Sequence, residues 1–453
     1  MRFCHGFTAV FDDRNLVSCA GLAPVLQLAE SAGLQRLVGK HVQLSEPSGV
    51  NAHLKVTSLV AGMVAGADSI DDMALLRHGA MSRLFTGVRA PSTLGSFLRA
   101  FSFGHVRQLD AVASRVLIGL AGHAPLLPGA AELAYVDIDD TVKQTYGYAK
   151  QGAGRGYTGV KGLNAVLAIV STPSSAPVIA AARLRKGSTN SARGAARLVA
   201  DALVTAKAAG ATGVRILRAD SAFYCHDVIA AALRQGACFS ITARQDRAVG
   251  KAIGGIPDDA WTAINYTNAV FDETQQRWIS DAEVAEISYT AFTSKVTAKH
   301  ITGRLIVRRV KDLNPNNQSE MFTAYRYHPV FTNSPLSMLQ AEKAHRAHAV
   351  VEQVIADLKN GQLAHLPSGK FWANSAWLVC AAMAFNLTRA AGTLASIFHA
   401  RATTGTIRAH LITVPGRLAR SARRLTLHLP TDWPWQHAWQ RLLAAANSPP
   451  VPA

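Results

Sequence analysis

The stretch AYVDIDDTVKQTYGY, residues 134–148, restricts more than any other feature what this chain can fold into. Its Val, Ile, Thr and Tyr residues are typical of a β-strand, yet it contains Asp137, Asp139 and Asp140. Side chains alternate across a strand, so Asp137 and Asp139 are predicted to project from the same face. Neighbouring carboxylates repel each other unless a cation neutralises them. The stretch therefore indicates a cation site, although an acidic strand edge can also discourage unwanted strand pairing.

The order of elements around this strand predicts the fold class. Strand patterns at 133–142, 163–171 and 177–183 precede a helical pattern at 191–209. A strand pattern at 213–220, a helix after Cys225 and a strand pattern at 237–244 follow. Three strands followed by alternating helix and strand is the order of a ribonuclease-H-like α/β core.

Composition and periodicity divide the rest of the chain. Short β-type runs separated by polar turns predict a β-rich insertion, and the flanking segments have helical periodicity. The predicted segments are a mainly helical N-terminal domain that binds DNA (1–125), the first part of the α/β core (130–244), the β-rich insertion (245–335), the final part of the core (336–398) and a basic C-terminal segment (399–453).

Two further carboxylates complete a candidate metal site. Asp220 ends the strand pattern RILRAD, at the carboxyl edge where α/β sheets place ligands. A helical pattern covers residues 338–361, and Glu352 lies in its part HAVVEQVIADLKN, with Lys359 two turns later on the same face. Such oxygen ligands suit Mg²⁺ or Mn²⁺. The alternatives are that Asp220 only caps the next helix and that Glu352 only pairs with Lys359.

Charge predicts a polyanionic partner. The formal net charge is +18, and a run of arginines follows Arg389 with Asp432 as its only acidic residue. A basic segment of this kind favours nucleic acid, and an anionic membrane is the weaker alternative because the segment lacks a clean amphipathic face. The candidate DNA contacts here are Arg420, Arg423 and Arg424.

Cysteine usage and the N-terminus predict a cytoplasmic protein. The five cysteines are scattered and show no CxxC spacing, which fits a reducing compartment. The first residues lack a sustained apolar run, so no signal peptide is expected.

Three motifs resemble those of bacterial insertion-sequence transposases of the DDE class, in the branch with a β-rich insertion before the catalytic Glu. VDIDDTV resembles the strand motif of the first Asp, RADSAFY that of the second, and VVEQVIADLKNG the final helix with Glu and Lys. The resemblance covers roughly 130–395. It implies DNA cleavage and joining by two metal ions, Mg²⁺ or Mn²⁺, and a homodimer on double-stranded DNA in the nucleoid.

The resemblance also assigns residues. It implies that Asp139, Asp220 and Glu352 are catalytic metal ligands, with Asp137 as the alternative first Asp, and that Lys359 contacts the DNA backbone. Many relatives have Tyr and Arg where this chain has His345 and His348, so these histidines and Arg346 are expected to contact phosphate. A zinc site of His345, His348 and Glu352 is the alternative. The glycine-rich stretch 150–162 predicts a β-hairpin turn whose Lys150, Arg155 and Lys161 could contact DNA.

Overall fold

The structure is a computed structural model that describes residues 6–147, 150–156, 159–272, 277–312, 324–422 and 424–448. The chain forms two compact units. The first consists of residues 1–126, 147–151 and 357–453, and the second of residues 127–146 and 152–356. The predicted final core segment, 336–398, is thus divided between the two units, and the basic C-terminal segment shares a unit with the N-terminal helices.

The α-helices of the described residues are, in chain order, α1 (Leu22–Ser31), α2 (Leu34–His41), α3 (Ala52–Ala65), α4 (Met81–Leu84), α5 (Pro91–Arg99), α6 (Phe103–His123), α7 (Ala195–Ala208), α8 (His226–Arg234), α9 (Arg247–Gly254), α10 (Met338–Arg346), α11 (Val350–Lys359), α12 (Phe371–Ala395), α13 (Ile397–Arg401), α14 (Thr404–Ile407) and α15 (Gln436–Ala446). The β-strands are β1 (Leu16–Val17), β2 (Leu133–Gln144), β3 (Gly154–Arg155), β4 (Lys161–Ser171), β5 (Val178–Lys186), β6 (Val214–Ala219), β7 (Cys238–Thr242), β8 (Thr262–Asp272), β9 (Arg277–Ala291), β10 (Ile301–Asp312), β11 (Ala324–Thr332), β12 (Gly416–Ser421) and β13 (Arg424–His428).

The first unit is built around helix α12. Its side chains are buried almost all round, and the N-terminal helices α1, α3, α5 and α6 pack against it. The indole Nε1 of Trp377 donates to the carbonyl oxygen of Gln362 at 2.8 Å, which satisfies the polar atom of a fully buried ring. By length and composition α12 could cross a membrane, but 89% of its most apolar window is buried inside the unit, as is typical of a core helix. A small sheet in the order β1-β12-β13 completes the unit.

The second unit contains one large mixed sheet. Its order is β3-β4-β2-β6-β7-β11-β10-β9-β8, and β5 pairs with the free side of β4. Strands β2, β6 and β7 run parallel, whereas β4 is antiparallel to both β2 and β5. Near-continuous apolar runs such as LNAVLAIVS in β4 suit strands that are buried on both faces.

The strands β8 to β11 lie within the region predicted as a β-rich insertion, and they extend the central sheet. Strand β11 pairs antiparallel with β7, matching Val330 with Thr242 and Thr332 with Ser240. The three neighbouring strands then follow as an antiparallel meander. The sequence predicted short runs, whereas these strands are 9 to 15 residues long.

The helical pattern at 338–361 is interrupted in the structure. Helix α10 ends at Arg346, a 3₁₀ turn covers Ala347–Ala349, and α11 starts at Val350. Ser337 and Gln340 form a capping box that starts α10. The interruption lies directly before the turn of helix that carries Glu352.

The glycine-rich stretch between β2 and β4 serves close backbone packing. Gly162 pairs with Gln144 across the antiparallel ladder. A Cβ atom at this position would lie 2.3 Å from the carbonyl oxygen of Lys143, so a larger residue does not fit there.

Candidate active site

Strand pairing brings Asp139 and Asp220 to the same edge of the sheet. The parallel register of β2 and β6 matches Asp137 with Arg218 and Ile138 with Ala219. Asp139 therefore lies beside Asp220, which directly follows the end of β6. This is the edge at which parallel strands present their carboxyl ends, where α/β proteins place ligands.

Asp220 also has the capping role considered as its alternative. Its Oδ1 accepts a hydrogen bond from the backbone N–H of Ala222 at 3.0 Å and starts the 3₁₀ turn Ser221–Phe223. This bond uses one carboxylate oxygen and orients the side chain. Capping and a role in the site are therefore compatible.

The carboxylates at this edge act on one another electrostatically. Burial raises the pKa of Asp139 to about 7, and the negative charges of Asp220, Asp140 and Glu352 add to the rise. Burial also raises the pKa of Asp220, and Asp140 contributes to that rise, whereas the hydrogen bond from Ala222 and the charge of His348 oppose it. Repulsion among partly buried carboxylates is a condition that a bound cation relieves.

Glu352 lies in the first turn of α11 and is exposed to solvent. Its charge contributes to the raised pKa of Asp139, so the two groups are close enough to interact electrostatically. The β2–β6 register places Asp139 beside Asp220. A catalytic site shared by the three residues stays a prediction.

Asp137 has a structural partner, and its prediction as a metal ligand is wrong for this structure. Its side chain is fully buried, and its two oxygens accept hydrogen bonds from Nε and Nη2 of Arg218 at 2.6 and 2.7 Å. Burial raises the pKa of this carboxyl, and the guanidinium opposes that shift. The sequence could show that Asp137 and Asp139 share a face, but it could not show which of them faces an arginine.

Asp140 points to the opposite face of β2 and is also neutralised. It forms a buried ion pair with Arg185 of β5 and accepts a hydrogen bond from Nδ2 of Asn164 in β4 at 3.1 Å. Nε of Arg185 donates to Oδ1 of Asn164 at 2.9 Å. Of the three aspartates of β2, Asp139 alone is placed among other carboxylates without an arginine hydrogen-bonded to it in the described residues.

His345 is buried between α10 and β7, which argues against the predicted phosphate contact. The side chain is 5% exposed, with Ser240 Oγ 3.0 Å from Nδ1 and Thr242 Oγ1 2.9 Å from Nε2. Burial, with the nearby charges of His348 and Arg218, lowers its pKa to about 3, so the ring is neutral at physiological pH. Helix α10 packs on β7 through this residue, a fact that helical spacing alone did not reveal.

His348 lies at the margin of the carboxylate cluster. Its Nδ1 lies 2.9 Å from the carbonyl oxygen of His345, so Nδ1 carries the proton and donates. Its charge lowers the pKa of both Asp137 and Asp220, which places the imidazole near them. Two residues before His348, Arg346 donates from Nε to Glu342 at 2.7 Å, and its side chain is 34% exposed.

The other predicted DNA contacts lie outside this cluster. Lys150 donates to the carbonyl oxygen of Leu366 at 2.6 Å, and Arg155 to that of Gly159 at 2.8 Å. The side chains of Lys161, Arg420 and Arg424 are exposed, Lys359 is half-buried at the end of α11, and Arg423 lies outside the described residues.

The donor chemistry fits a hard divalent cation better than zinc. Within the described ranges no three His, Cys, Asp or Glu side chains converge closely enough to form a ready metal site. Both ring nitrogens of His345 already have hydroxyl neighbours, which argues against the zinc alternative. The remaining donors of Asp139, Asp220 and Glu352 are carboxylate oxygens, and their mutual repulsion favours a positive ion of the Mg²⁺ or Mn²⁺ type.

Sequence reasoning missed the two arginines that neutralise the other aspartates. Arg218 and Arg185 are charged residues within strands β6 and β5, and both are buried. A buried arginine needs a paired anion or several hydrogen-bond acceptors. The run VRILRA contains two buried arginines: Arg218 pairs with Asp137, whereas Arg215 donates to the carbonyl oxygens of Ala211 and Gln235. The sequence therefore indicated buried polar partners without showing which arginine has an anion.

Fold and site together define a mixed α/β protein with a cluster of carboxylates at the carboxyl edge of its parallel strands. The sequence model of one family, described as transposase DDE domain group 1, matches residues 4–449. That is almost the whole chain, and the protein belongs to this DDE transposase family. No curated protein matches the sequence significantly.

Proposed function

We propose that this protein is a DNA transposase that cleaves the ends of its insertion sequence and joins them to target DNA by phosphoryl transfer. The observation that carries the proposal is the placement of Asp139 beside Asp220 at the carboxyl ends of parallel strands, in a member of the DDE transposase family. Burial raises the pKa of Asp139, and the charges of Asp220, Asp140 and Glu352 add to the rise, which is typical of a functional site.

The strand order supports a ribonuclease-H-like core for this chemistry. Strands β5-β4-β2-β6-β7 lie in this order, with only β4 antiparallel to its neighbours in the group. In such an arrangement Asp139 comes from the central strand and Asp220 from the end of the next parallel strand. The motif resemblance and the sheet register both support Asp139 and Asp220 as the first two acidic residues.

Asp139, Asp220 and Glu352 would hold the two Mg²⁺ or Mn²⁺ ions that we propose as cofactors. When bound, such ions lower the pKa of a coordinated water and stabilise the leaving oxygen of a phosphodiester. The chain itself supplies oriented ligands: the Ala222 N–H fixes one oxygen of Asp220, and the β2–β6 register fixes the backbone of Asp139. His348 donates from Nδ1 to the carbonyl oxygen of His345, so its imidazolium form, which also carries a proton on Nε2, would donate to a phosphate oxygen.

We propose double-stranded DNA, both insertion-sequence ends and target, as the substrate, and a homodimer on DNA as the active form. The net charge of +18 supports a polyanionic substrate. Lys359, two turns after Glu352 on α11, together with His348 and Arg346 are the proposed contacts near the cleavage point. The remaining proposed backbone contacts are Lys150, Arg155, Lys161, Arg420, Arg423 and Arg424. The proposed location is the cytoplasm, where the nucleoid carries this substrate.

The decisive experiment incubates the purified protein with DNA that contains the flanks of its own gene, Mg²⁺ and a supercoiled target. End-specific cuts followed by joined products are expected. Cuts without joined products would indicate a nuclease that does not transfer strands, and binding without cuts would indicate an inactive DNA-binding relative. The Asp139→Asn variant is the matched control, because it keeps the shape of the side chain and removes its charge.

A further inference from the structure

One buried guanidinium connects strand β6 with strand β2 and with helix α10, which precedes the helix that carries Glu352. Arg218 lies in β6, and its Nε and Nη2 donate to the two oxygens of Asp137 in β2 at 2.6 and 2.7 Å. Its Nη1 donates to the carbonyl oxygen of Ala344 in α10 at 2.5 Å. The guanidinium also lies 3.9 Å from the ring centroid of Tyr135. Arg218 therefore bonds a second strand and a helix at the same time.

Each contact is close in sequence to one of the proposed metal ligands. Asp137 precedes Asp139 by two residues, and Arg218 precedes Asp220 by two residues. Ala344 lies near the end of α10, and the 3₁₀ turn Ala347–Ala349 connects that end to the turn with Glu352. A shift of Arg218 would therefore change the position of the end of α10 relative to β2 and β6, and the 3₁₀ turn transmits such a change to α11 and Glu352.

Stability alone does not account for this buried pair. Arg218 is 2% exposed and Asp137 is fully buried, so both charges have lost their hydration. Replacing such a pair by apolar side chains of similar volume is often neutral or stabilising. The guanidinium, in contrast, fixes the orientation of the groups bonded to it, because its donors lie in one plane and match the two oxygens of a carboxylate.

We propose that Arg218 and Asp137 are positioning residues that set the placement of the Glu352 helix relative to Asp139 and Asp220. This role rests on the proposed function, because the carboxylates are taken as the ligands of the catalytic ions. Arg218 touches neither substrate nor metal in this role. It acts through the carbonyl group of Ala344 and the carboxylate of Asp137.

The opposite face of β2 provides a matched control. Asp140 and Arg185 form a second buried ion pair on the same strand, one residue from Asp139. Nη1 of Arg185 donates to the carbonyl oxygens of Ser191 and Arg193, at 2.7 and 2.9 Å, in the segment before α7. This pair connects strands to that loop rather than to α10. The Asp140–Arg185 pair therefore has the same chemistry as the Asp137–Arg218 pair but connects different elements.

The test compares the double variants Asp137→Leu/Arg218→Met and Asp140→Leu/Arg185→Met, together with the single variant Arg218→Lys. Hydrogen exchange is measured on the metal-free proteins, and Mn²⁺ binding is measured by electron paramagnetic resonance. In both Arg218 variants the amides of α10 should exchange faster, and Mn²⁺ affinity should fall by roughly 10–100-fold, as for other groups that orient ligands. In the Arg185 variant the amides of β5 and of the segment before α7 should exchange faster, whereas the exchange rates of the α10 amides should stay unchanged.

Arg218→Lys keeps the positive charge beside Asp137 and loses only the planar set of guanidinium donors. This variant therefore tests the positioning role even if the double variant does not fold. Unchanged exchange in α10 together with unchanged Mn²⁺ affinity in folded Arg218→Lys would overturn the positioning role. Failure of the proposed function has a different signature, which is Mn²⁺ binding that survives Asp139→Asn, Asp220→Asn and Glu352→Gln. The exchange of α10 still decides the role of Arg218 in that case, because it is measured without metal.

Discussion

The two faces of strand β2 use their aspartates differently. On one face Asp140 is enclosed by Arg185 and Asn164, and its charge is neutralised within the fold. On the other face Asp137 is neutralised by Arg218, while Asp139, two residues further on, is surrounded by carboxylates. Three acidic residues within four positions thus divide into two that hold the structure and one that is available for a ligand.

This difference distinguishes carboxylates that stabilise the fold from carboxylates that are available for a ligand. A buried carboxylate with a forked arginine partner is explained by its neighbours, and nothing else is needed to neutralise it. A partly buried carboxylate whose neighbours raise its pKa lacks such a partner in the fold. The predictions below test this contrast, from the largest expected effect to the smallest.

The largest effect is expected when the carboxylate cluster itself is changed. Asp139→Asn, Asp220→Asn and Glu352→Gln should each reduce cleavage by roughly 10³-fold or more, since about 4 kcal/mol of transition-state stabilisation corresponds to that factor. DNA affinity, measured by mobility shift, should change little. Asp140→Asn is the control on the other face, and its specific cleavage activity, measured on folded protein, should fall much less. Equal losses in Asp139→Asn and Asp140→Asn would remove the contrast between the faces.

Breaking the structural pair should act on stability instead. Arg185→Met leaves Asp140 buried without its cation, which should lower the free energy of unfolding by about 3–5 kcal/mol. Asp140→Leu/Arg185→Met removes both charges and should recover most of that loss. Urea unfolding followed by circular dichroism measures both. If the double variant is no more stable than the single one, the uncompensated charge is not the cause.

A smaller effect follows from the neutral histidine between α10 and β7. The pKa of His345 is lowered from 6.5 to about 3 in the fold, so between these values the unfolded chain binds more protons than the folded one. Stability should therefore fall as the pH falls below about 6.5, by at most about 1.4 kcal/mol for each pH unit from this residue. In His345→Gln this contribution should be absent. The pH dependence of urea unfolding between pH 7 and 5 should thus be less steep in the variant than in the natural protein.

The smallest effect concerns the basic hairpin of β12 and β13, far in sequence from the carboxylates. Arg420→Gln/Arg424→Gln should weaken DNA binding and lower the slope of log affinity against log salt by roughly 1–2, one for each phosphate that is no longer neutralised. Arg234→Gln/Arg247→Gln removes the same charge from exposed positions of α8 and α9, which are not among the predicted DNA contacts, and serves as the control. The same change in slope for both pairs would mean that net charge, rather than the hairpin, sets the affinity.

The sequence predicted the central elements of the fold well. The strands predicted at 133–142, 163–171 and 213–220 correspond to β2, β4 and β6 with end shifts of a few residues. Their apolar runs are long and bounded by turn residues, which is the condition under which such patterns are most reliable. The pattern at 338–361 was less reliable, because helical periodicity continues through the 3₁₀ turn at Ala347–Ala349.

The candidate site was only partly accessible to the same reasoning. Motif resemblance and strand alternation selected Asp139, Asp220 and Glu352. The strand register places the two aspartates side by side, and the charge of Glu352 acts on Asp139, while the three-residue site stays a prediction. Strand alternation also left Asp137 as an equivalent candidate. It shows which residues share one side of a strand, but it does not show which residues of other strands or helices lie against that side. The prediction for His345 had the same limit, because its Ser240 and Thr242 neighbours lie more than a hundred positions away.

The sequence by itself determined which residues are acidic, which segments alternate, and that the chain carries the motifs of a DDE transposase. These properties are local, because they depend on residue type and on spacings of a few positions. Only the tertiary structure decided which aspartate has an arginine and which histidine is buried. Arg218 reaches Asp137 across 81 positions and Arg185 reaches Asp140 across 45, and such partners are set by strand order and register. Neutralisation of a buried charge depends on distances of a few ångströms in space, and separation along the chain does not fix those distances.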